Sequence, residues 1–152
     1  MKRAKPIAVM FLLLAAATVA VGLIQPRIFL RQATDLYLHD TYYVVSHSLV
    51  FLVLGLFFAA CGIVYLFYEK AVHRAMSMSL GHLHFWLSLG SIAMLFDALR
   101  GIPQGNPGSD AVLQSEFHTA AELAFAGFFG FLAAQIVFAA NVVSSFFRSK
   151  SP

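Results

Sequence analysis

Histidines and carboxylates inside or beside long apolar runs are the residues of this chain best suited to chemistry. The densest group is the stretch LHDTYYVVSHSL, in which His39, Asp40 and His47 stand at the start of an apolar run. A second group lies at the last apolar run, where Glu122 follows His118 by four residues. Because charged and imidazole side chains are costly in a bilayer unless they are paired, their presence there indicates a functional site.

His47 is the strongest candidate for a metal ligand. On a helix that starts near it, Phe51, Leu54 and Phe58 continue the same face. A neutral imidazole above an apolar, aromatic wall suits haem, since the nitrogen binds iron and the wall contacts the porphyrin. His118 is expected at a similar depth in another helix, which makes it a candidate second axial ligand. Two histidine ligands would favour electron transfer, whereas one would leave an open position for O₂ or NO.

The polar residues also have structural interpretations. Side chains at the lipid–water boundary often act only as anchors. A histidine and a glutamate four residues apart on a helix can form a local hydrogen bond, and an ion pair at the rim contributes little. These alternatives stay open for His118 with Glu122, for His39 with Asp40 and Tyr42, for His82 and His84 beside Trp86, and for Asp97 near Arg100.

Composition indicates that lipid is the solvent of this chain. Of its 152 residues, 60% are hydrophobic and only 11% are charged, with a mean hydropathy of +0.79, whereas soluble domains average about 25% charged residues. Four apolar segments are each near the roughly 20 residues that a spanning helix needs. The sequence therefore predicts an all-α, four-helix transmembrane bundle in the lipid bilayer, forming a single membrane domain over residues 1–152, with helices over about 7–24, 43–67, 80–99 and 117–147.

The distribution of lysine and arginine predicts that both termini face the cytoplasm. With that orientation, seven of these residues lie inside and three outside, in agreement with the positive-inside rule. They stand at segment ends rather than in a stripe, which argues against nucleic-acid binding. The first apolar run could belong to a cleaved signal peptide. At 18 residues it is longer than a usual signal core of about 7 to 15, so we expect an uncleaved first helix.

Several stretches resemble subunit I of the haem–copper oxidases, the cytochrome c and quinol oxidases. HDTYYVVSH, from His39 to His47, looks like the family signature between its ninth and tenth helices. LGHLHFWL is similar to the start of the eleventh helix, LRGIP to the turn after it, and NVVSSFF to the end of the twelfth. Their order and spacing agree with the family, so the whole chain resembles the last four helices of subunit I.

The resemblance implies cofactors for the first of these stretches. His47 matches the proximal ligand of the high-spin haem, which would be of b or a type. His39 and Asp40 match an outer Mg²⁺ or Mn²⁺ site that the family completes with a residue of subunit II. Such ligands suit a hard cation. The implied partner is therefore a subunit II-like chain.

Departures from the family limit what the resemblance implies. Leu49 stands where the family has the histidine of the low-spin haem, and Gln104 and Gly105 stand where it has an arginine pair. The helices with the copper ligands would lie upstream of this segment. We therefore expect that the chain alone is not an oxygen reductase.

Three hypotheses follow from these observations. The first is a haem-binding membrane cytochrome of the oxidase superfamily that transfers electrons in a respiratory chain of a bacterial inner membrane and lacks the copper site. The second is a subunit or split half of a larger oxidase. The third is a non-catalytic structural or assembly protein, with self-association as an alternative to oxidase partners.

Overall fold

Over the residues that it describes, the computed structural model has four helices and one β-hairpin. The helices are α1 (Lys5–Ile28), α2 (His47–Val72), α3 (Met78–Gly101) and α4 (Ala111–Phe146). The strands β1 (Ala33–Leu38) and β2 (Thr41–Ser46) lie between α1 and α2. The residues that the structure describes are 5–28, 33–38, 41–72, 76–101 and 111–147.

The prediction of an all-α membrane protein with four helices is confirmed. Each helix contains a stretch that is long and apolar enough to cross a bilayer, with a mean hydropathy between 1.2 and 2.7. These stretches are Lys5–Ile24, Ser48–Tyr68, Met78–Ala98 and His118–Phe146. The location of both termini in the cytoplasm stays a prediction.

The hairpin is the main departure from the expected elements. The second helix was expected from about residue 43, but Tyr43 belongs to β2 and the helix begins at His47. β1 and β2 pair antiparallel, from Ala33 opposite Ser46 to Leu38 opposite Thr41. The physical reason lies in the TYYVV run, because aromatic and β-branched residues favour strands.

Contacts divide the chain into two compact units, residues 1–76 with 148–152 and residues 77–147. Each unit contains one pair of helices, α1 with α2 and α3 with α4. That residues 1–152 form a single domain stays a prediction.

In the first unit, α1 and α2 pack antiparallel along a seam of small residues. A Cβ added to Gly62 would lie 3.1 Å from the Ala8 carbonyl oxygen, and one added to Gly55 would lie 3.3 Å from that of Ala15. Small side chains allow this close approach of two backbones in a membrane. The small residues recur every seven positions: Ala8, Ala15 and Gly22 on α1, and Ser48, Gly55 and Gly62 on α2.

In the second unit, α3 and α4 pack antiparallel with the same spacing. A Cβ added to Gly127 would lie 2.8 Å from the Ser91 carbonyl oxygen. At another level of the pair, the rings of His84 and Phe138 lie 5.0 Å apart. The seam residues again recur every seven positions: Ser77, His84, Ser91 and Ala98 on or just before α3, and Ala120, Gly127, Ala134 and Asn141 on α4.

Candidate functional site

His47 is the first residue of α2 and directly follows β2. The preceding residue, Ser46, pairs with Ala33 of β1. The hairpin therefore ends where α2 begins, and it fixes the backbone position of His47 relative to the strands. The sequence predicted His47 about one turn inside a helix that begins near residue 43, whereas in the structure His47 is the first residue of α2.

The expected porphyrin wall below His47 is largely part of the α1–α2 interface. Phe58 is only 1% exposed, and its ring lies 6.2 Å from that of Phe11. A Cβ added to Gly22 would lie 2.9 Å from the Phe51 Cβ, so Phe51 also packs against α1. Phe58 is therefore part of the helix pair and not of the expected wall, whereas Phe51 is only half-buried beside α1.

The candidate cation ligands His39 and Asp40 lie outside the described residues. In the chain they stand between Leu38 and Thr41, which pair across the hairpin. The Mg²⁺ or Mn²⁺ site therefore stays a prediction.

His118 and Glu122 are both exposed on α4. No hydrogen bond or ion pair joins either of them to another described residue, so the local His–Glu hydrogen bond considered as an alternative is not formed there. Phe125, seven residues after His118, lies on the same face and is 64% exposed. This face combines an accessible imidazole with an aromatic surface.

The pairing of His47 with His118 stays a prediction. His47 belongs to the first unit and His118 to the second. Among the described residues, no three His, Cys, Asp or Glu side chains are grouped so that they could hold a metal ion.

His84 is a residue whose environment sequence reasoning missed. It was expected as an anchor at the water interface, but it is fully buried and packs on Phe138. The burial of His84 could have been predicted from the seven-residue spacing that it shares with Ser77 and Ser91. A row of residues at that spacing indicates a helix–helix interface.

Asn141 is a second residue whose environment was not predicted from the sequence. Its side-chain oxygen accepts a hydrogen bond from the Ser77 backbone N–H at 2.8 Å, and its amide nitrogen donates to the Ser77 carbonyl oxygen at 3.1 Å. The Gly81 N–H donates to the same carbonyl at 3.0 Å. The fully buried Asn141 thus joins the start of α3 to the end of α4.

Helix number, length and composition define an integral membrane protein, and comparison with known proteins gives its family. Residues 2–102 match the family Cytochrome C and Quinol oxidase polypeptide I. The match covers more than half of the chain and includes α1, α2 and α3. The chain belongs to this family.

Two curated relatives are similar to part of the chain. The cytochrome c oxidase polypeptide 1 of Halobacterium salinarum is 33% identical over 73% of this chain and 19% of its own length. The cytochrome c oxidase subunit 1 of a Synechocystis species is 31% identical over 76% of this chain and 21% of its own length. The chain therefore spans about a fifth of the length of these relatives. No solved structure matches it significantly.

Proposed function

We propose that this chain is a haem-binding membrane protein that transfers electrons in a respiratory chain and lacks the copper site of its family. The observation that carries the proposal is the position of His47. It lies in the stretch that resembles the family's haem-ligand signature, and it is the first residue of a membrane helix. The match of residues 2–102 to the family supports this interpretation.

His47 and His118 are the proposed axial ligands. The exposed face of α4 fits a haem, because His118 offers an imidazole and Phe125 an aromatic surface, the two features that a porphyrin site requires. When bound, the haem would supply one-electron chemistry. The protein would supply the axial nitrogens and an apolar environment that excludes water.

Leu49 limits the proposal to one haem. It stands where the resemblance implies the ligand of a second haem, and its side chain is apolar and exposed. A leucine offers no atom that can bind iron. We therefore propose a single haem of b or a type, with His39 and Asp40 as ligands of Mg²⁺ or Mn²⁺ beside it.

Spectroscopy of the purified full chain from a haem-replete host tests the proposal. We expect a Soret band that disappears in His47→Ala. His118→Ala should leave a band but change the spectrum from low-spin to high-spin, since one axial ligand is lost. His82→Ala is the matched control, because His82 is a half-buried histidine of α3 and should leave the spectrum unchanged.

Two results would contradict parts of this proposal. A colourless protein after haem supplementation would exclude haem binding. A low-spin spectrum that survives His118→Ala would remove His118 from the site and leave His47 with another ligand.

A second candidate function is a non-catalytic subunit, split half or assembly factor of a terminal oxidase complex. It is favoured by the burial of Phe58 and the packing of Phe51 against α1, which leave less apolar wall for a porphyrin near His47. The test is affinity purification from the native membrane. Recovery of a subunit II-like chain with a colourless protein would favour this function over the first.

The proposed location is a bacterial inner membrane with both termini in the cytoplasm. Reporter fusions at each terminus test this orientation. A cytoplasmic reporter that is inactive at either end would contradict it.

A further inference from the structure

Two polar side chains of the α3–α4 pair end in buried atoms that form no hydrogen bond to any described residue. They are the hydroxyl of Ser88 on α3 and the amide nitrogen of Gln135 on α4. Ser88 is fully buried, with an exposed fraction of 0%, and Gln135 is half-buried. Since buried polar groups in proteins almost always have a partner, two such groups in one helix pair indicate a site for a polar ligand.

The Ser88 hydroxyl differs from other hydroxyls of the membrane helices. The Ser91 hydroxyl donates to the Leu87 carbonyl oxygen, one turn earlier on α3, at 2.6 Å, and the Thr18 hydroxyl bonds in the same way on α1. Such a bond satisfies a serine or threonine within its own helix. The equivalent acceptor for Ser88 is the carbonyl oxygen of His84, which its hydroxyl does not bond. The hydroxyl is therefore available to a group outside its own helix.

The serine and the glutamine lie at the same level of the helix pair, between two contacts. At one contact, the rings of His84 and Phe138 lie 5.0 Å apart. At the other, a Cβ added to Gly130 would lie 2.6 Å from the Ser91 hydroxyl oxygen. The serine stands between His84 and Ser91 on α3, and the glutamine stands between Gly130 and Phe138 on α4. Because the same two contacts enclose both positions, the hydroxyl and the amide are neighbours along the pair.

The two groups also lie on the same side of the α3–α4 seam. On α4, Gln135 directly follows the seam residue Ala134. On α3, Ser88 follows the seam residue His84 by four positions, which rotates it about 40° in the same sense around its helix. In an antiparallel pair, residues that follow the seam positions on the two helices lie on the same side of the interface. The hydroxyl and the amide therefore belong to one site beside the seam.

We propose that this site binds a water molecule, which hydrogen-bonds to the Ser88 hydroxyl and to the Gln135 amide and so joins α3 to α4. Ser88 is the middle residue of the membrane-spanning stretch Met78–Ala98, and Gln135 lies three positions after the middle of the stretch His118–Phe146. At this depth the hydrocarbon offers no hydrogen-bonding partner, so a polar group that finds none in the protein is costly. The inference concerns α3 and α4 alone and does not depend on haem binding.

Water fits these two groups better than an ion does. The glutamine amide nitrogen only donates hydrogen bonds, whereas a serine hydroxyl both donates and accepts. One water molecule can accept from the amide and donate to the hydroxyl oxygen, and its second hydrogen is left for a backbone carbonyl. A metal ion would need anionic or imidazole ligands, and the described part of the chain has no group of three His, Cys, Asp or Glu side chains that could hold one.

Water-edited solid-state NMR of the full chain in lipid bilayers tests the proposal. It measures how fast magnetisation passes from water protons to each side chain. We expect the transfer to the Ser88 Cβ and to the Gln135 amide nitrogen to be roughly threefold or more faster than the transfer to the Ser91 Cβ. Ser91 is the matched control, because it is a buried serine of the same helix whose hydroxyl is already bonded to a carbonyl.

Substitutions at the site should each lower the transfer to the other group. Ser88→Ala should slow the transfer to the Gln135 nitrogen by roughly threefold or more, because the water loses one of its partners. Gln135→Met, which keeps the length of the side chain and removes the amide, should slow the transfer to the Ser88 Cβ in the same way. Ser91→Ala should leave both transfers unchanged.

Three results would overturn the proposal. Equal transfer to Ser88 and Ser91 would mean that the site is dry and that the Ser88 hydroxyl bonds directly to the protein. Fast transfer to Gln135 that survives Ser88→Ala would mean that the two groups share no water. A through-space cross-peak between either group and another polypeptide would mean that a partner's side chain occupies the site.

Discussion

The two helix pairs share one spacing and differ in the chemistry of the interface. Both place small or polar seam residues every seven positions. The α1–α2 interface is apolar and aromatic, with Phe11 near Phe58 and stacked on Tyr65. The α3–α4 interface is polar, and its buried polar residues are His84, Ser88, Ser91, Asn141 and Ser145.

This difference separates two ways to hold membrane helices together. In lipid, apolar side chains gain little from leaving the solvent, so the α1–α2 pair depends on the fit of its surfaces. A polar group in hydrocarbon has few partners, so the hydrogen bonds of Asn141 to Ser77 favour one register of α3 on α4. The first pair should therefore respond to changes of shape, and the second to changes of both shape and polarity.

The largest expected effect follows from adding one methyl group to a seam glycine. In Gly127→Ala the new Cβ would lie 2.8 Å from the Ser91 carbonyl oxygen, and the backbone must move to accept it. We expect a loss of about 2 kcal/mol in the free energy of unfolding. Titration with SDS in mixed micelles, followed by circular dichroism, measures it.

Two matched glycines complete this comparison. Gly55→Ala should cost about 1 kcal/mol, because the nearest neighbour is a methyl of Val19 and the Ala15 oxygen lies farther, at 3.3 Å. Gly90→Ala should instead stabilise α3 by up to about 1 kcal/mol, since its Cβ meets open space and alanine favours the helix. A cost at Gly90 equal to that at Gly127 would show that the two positions do not differ in packing.

A smaller effect is expected from the polar interface. Asn141→Leu removes both hydrogen bonds to Ser77 and leaves the half-buried backbone N–H and carbonyl of Ser77 without these partners. We expect a loss of about 1.5 kcal/mol and faster hydrogen exchange at the Gly81 amide, which bonds to the Ser77 carbonyl. NMR in detergent micelles measures the exchange.

Ser144→Ala is the control for that prediction. The Ser144 hydroxyl donates to the Asn141 carbonyl within the same helix, at 3.1 Å, so its loss should change stability by less than about 0.5 kcal/mol. An Asn141→Leu variant as stable as Ser144→Ala would mean that the Ser77 contact does not set the register.

The sequence predicts the helices well because long apolar runs leave few alternatives in a membrane. It does not predict the hairpin, because the TYYVVS run continues directly into the apolar segment that begins with His47 and reads as part of it. The same limit applies to the candidate site. The spacing of Phe51 and Phe58 defines a face of α2 but does not specify whether a porphyrin or α1 covers it.

Polar residues near helix ends are ambiguous for a related reason. His84 lies close to the start of α3, where an interfacial anchor and a buried seam residue have the same local sequence. The distinction requires the neighbouring helix, since Phe138 is 54 positions away in the chain (138 minus 84). The seven-residue spacing on two helices distinguishes a buried interface residue from an interfacial anchor better than the depth of a single residue does.

A modest effect is expected from the aromatic contacts of the α1–α2 pair, and it tests whether these contacts stabilise the pair because they are buried. Phe11 and Tyr65 have ring centroids 5.7 Å apart, and so do Phe128 and Phe129 on α4. Phe11 is fully buried, whereas Phe128 is 51% exposed and Phe129 is 62% exposed. Phe11→Leu should cost about 1 kcal/mol, because no lipid chain can replace the lost ring contact. Phe128→Leu should leave the free energy of unfolding unchanged, because lipid or detergent takes the place of the ring. Equal costs for the two variants would show that burial does not determine the value of these ring contacts.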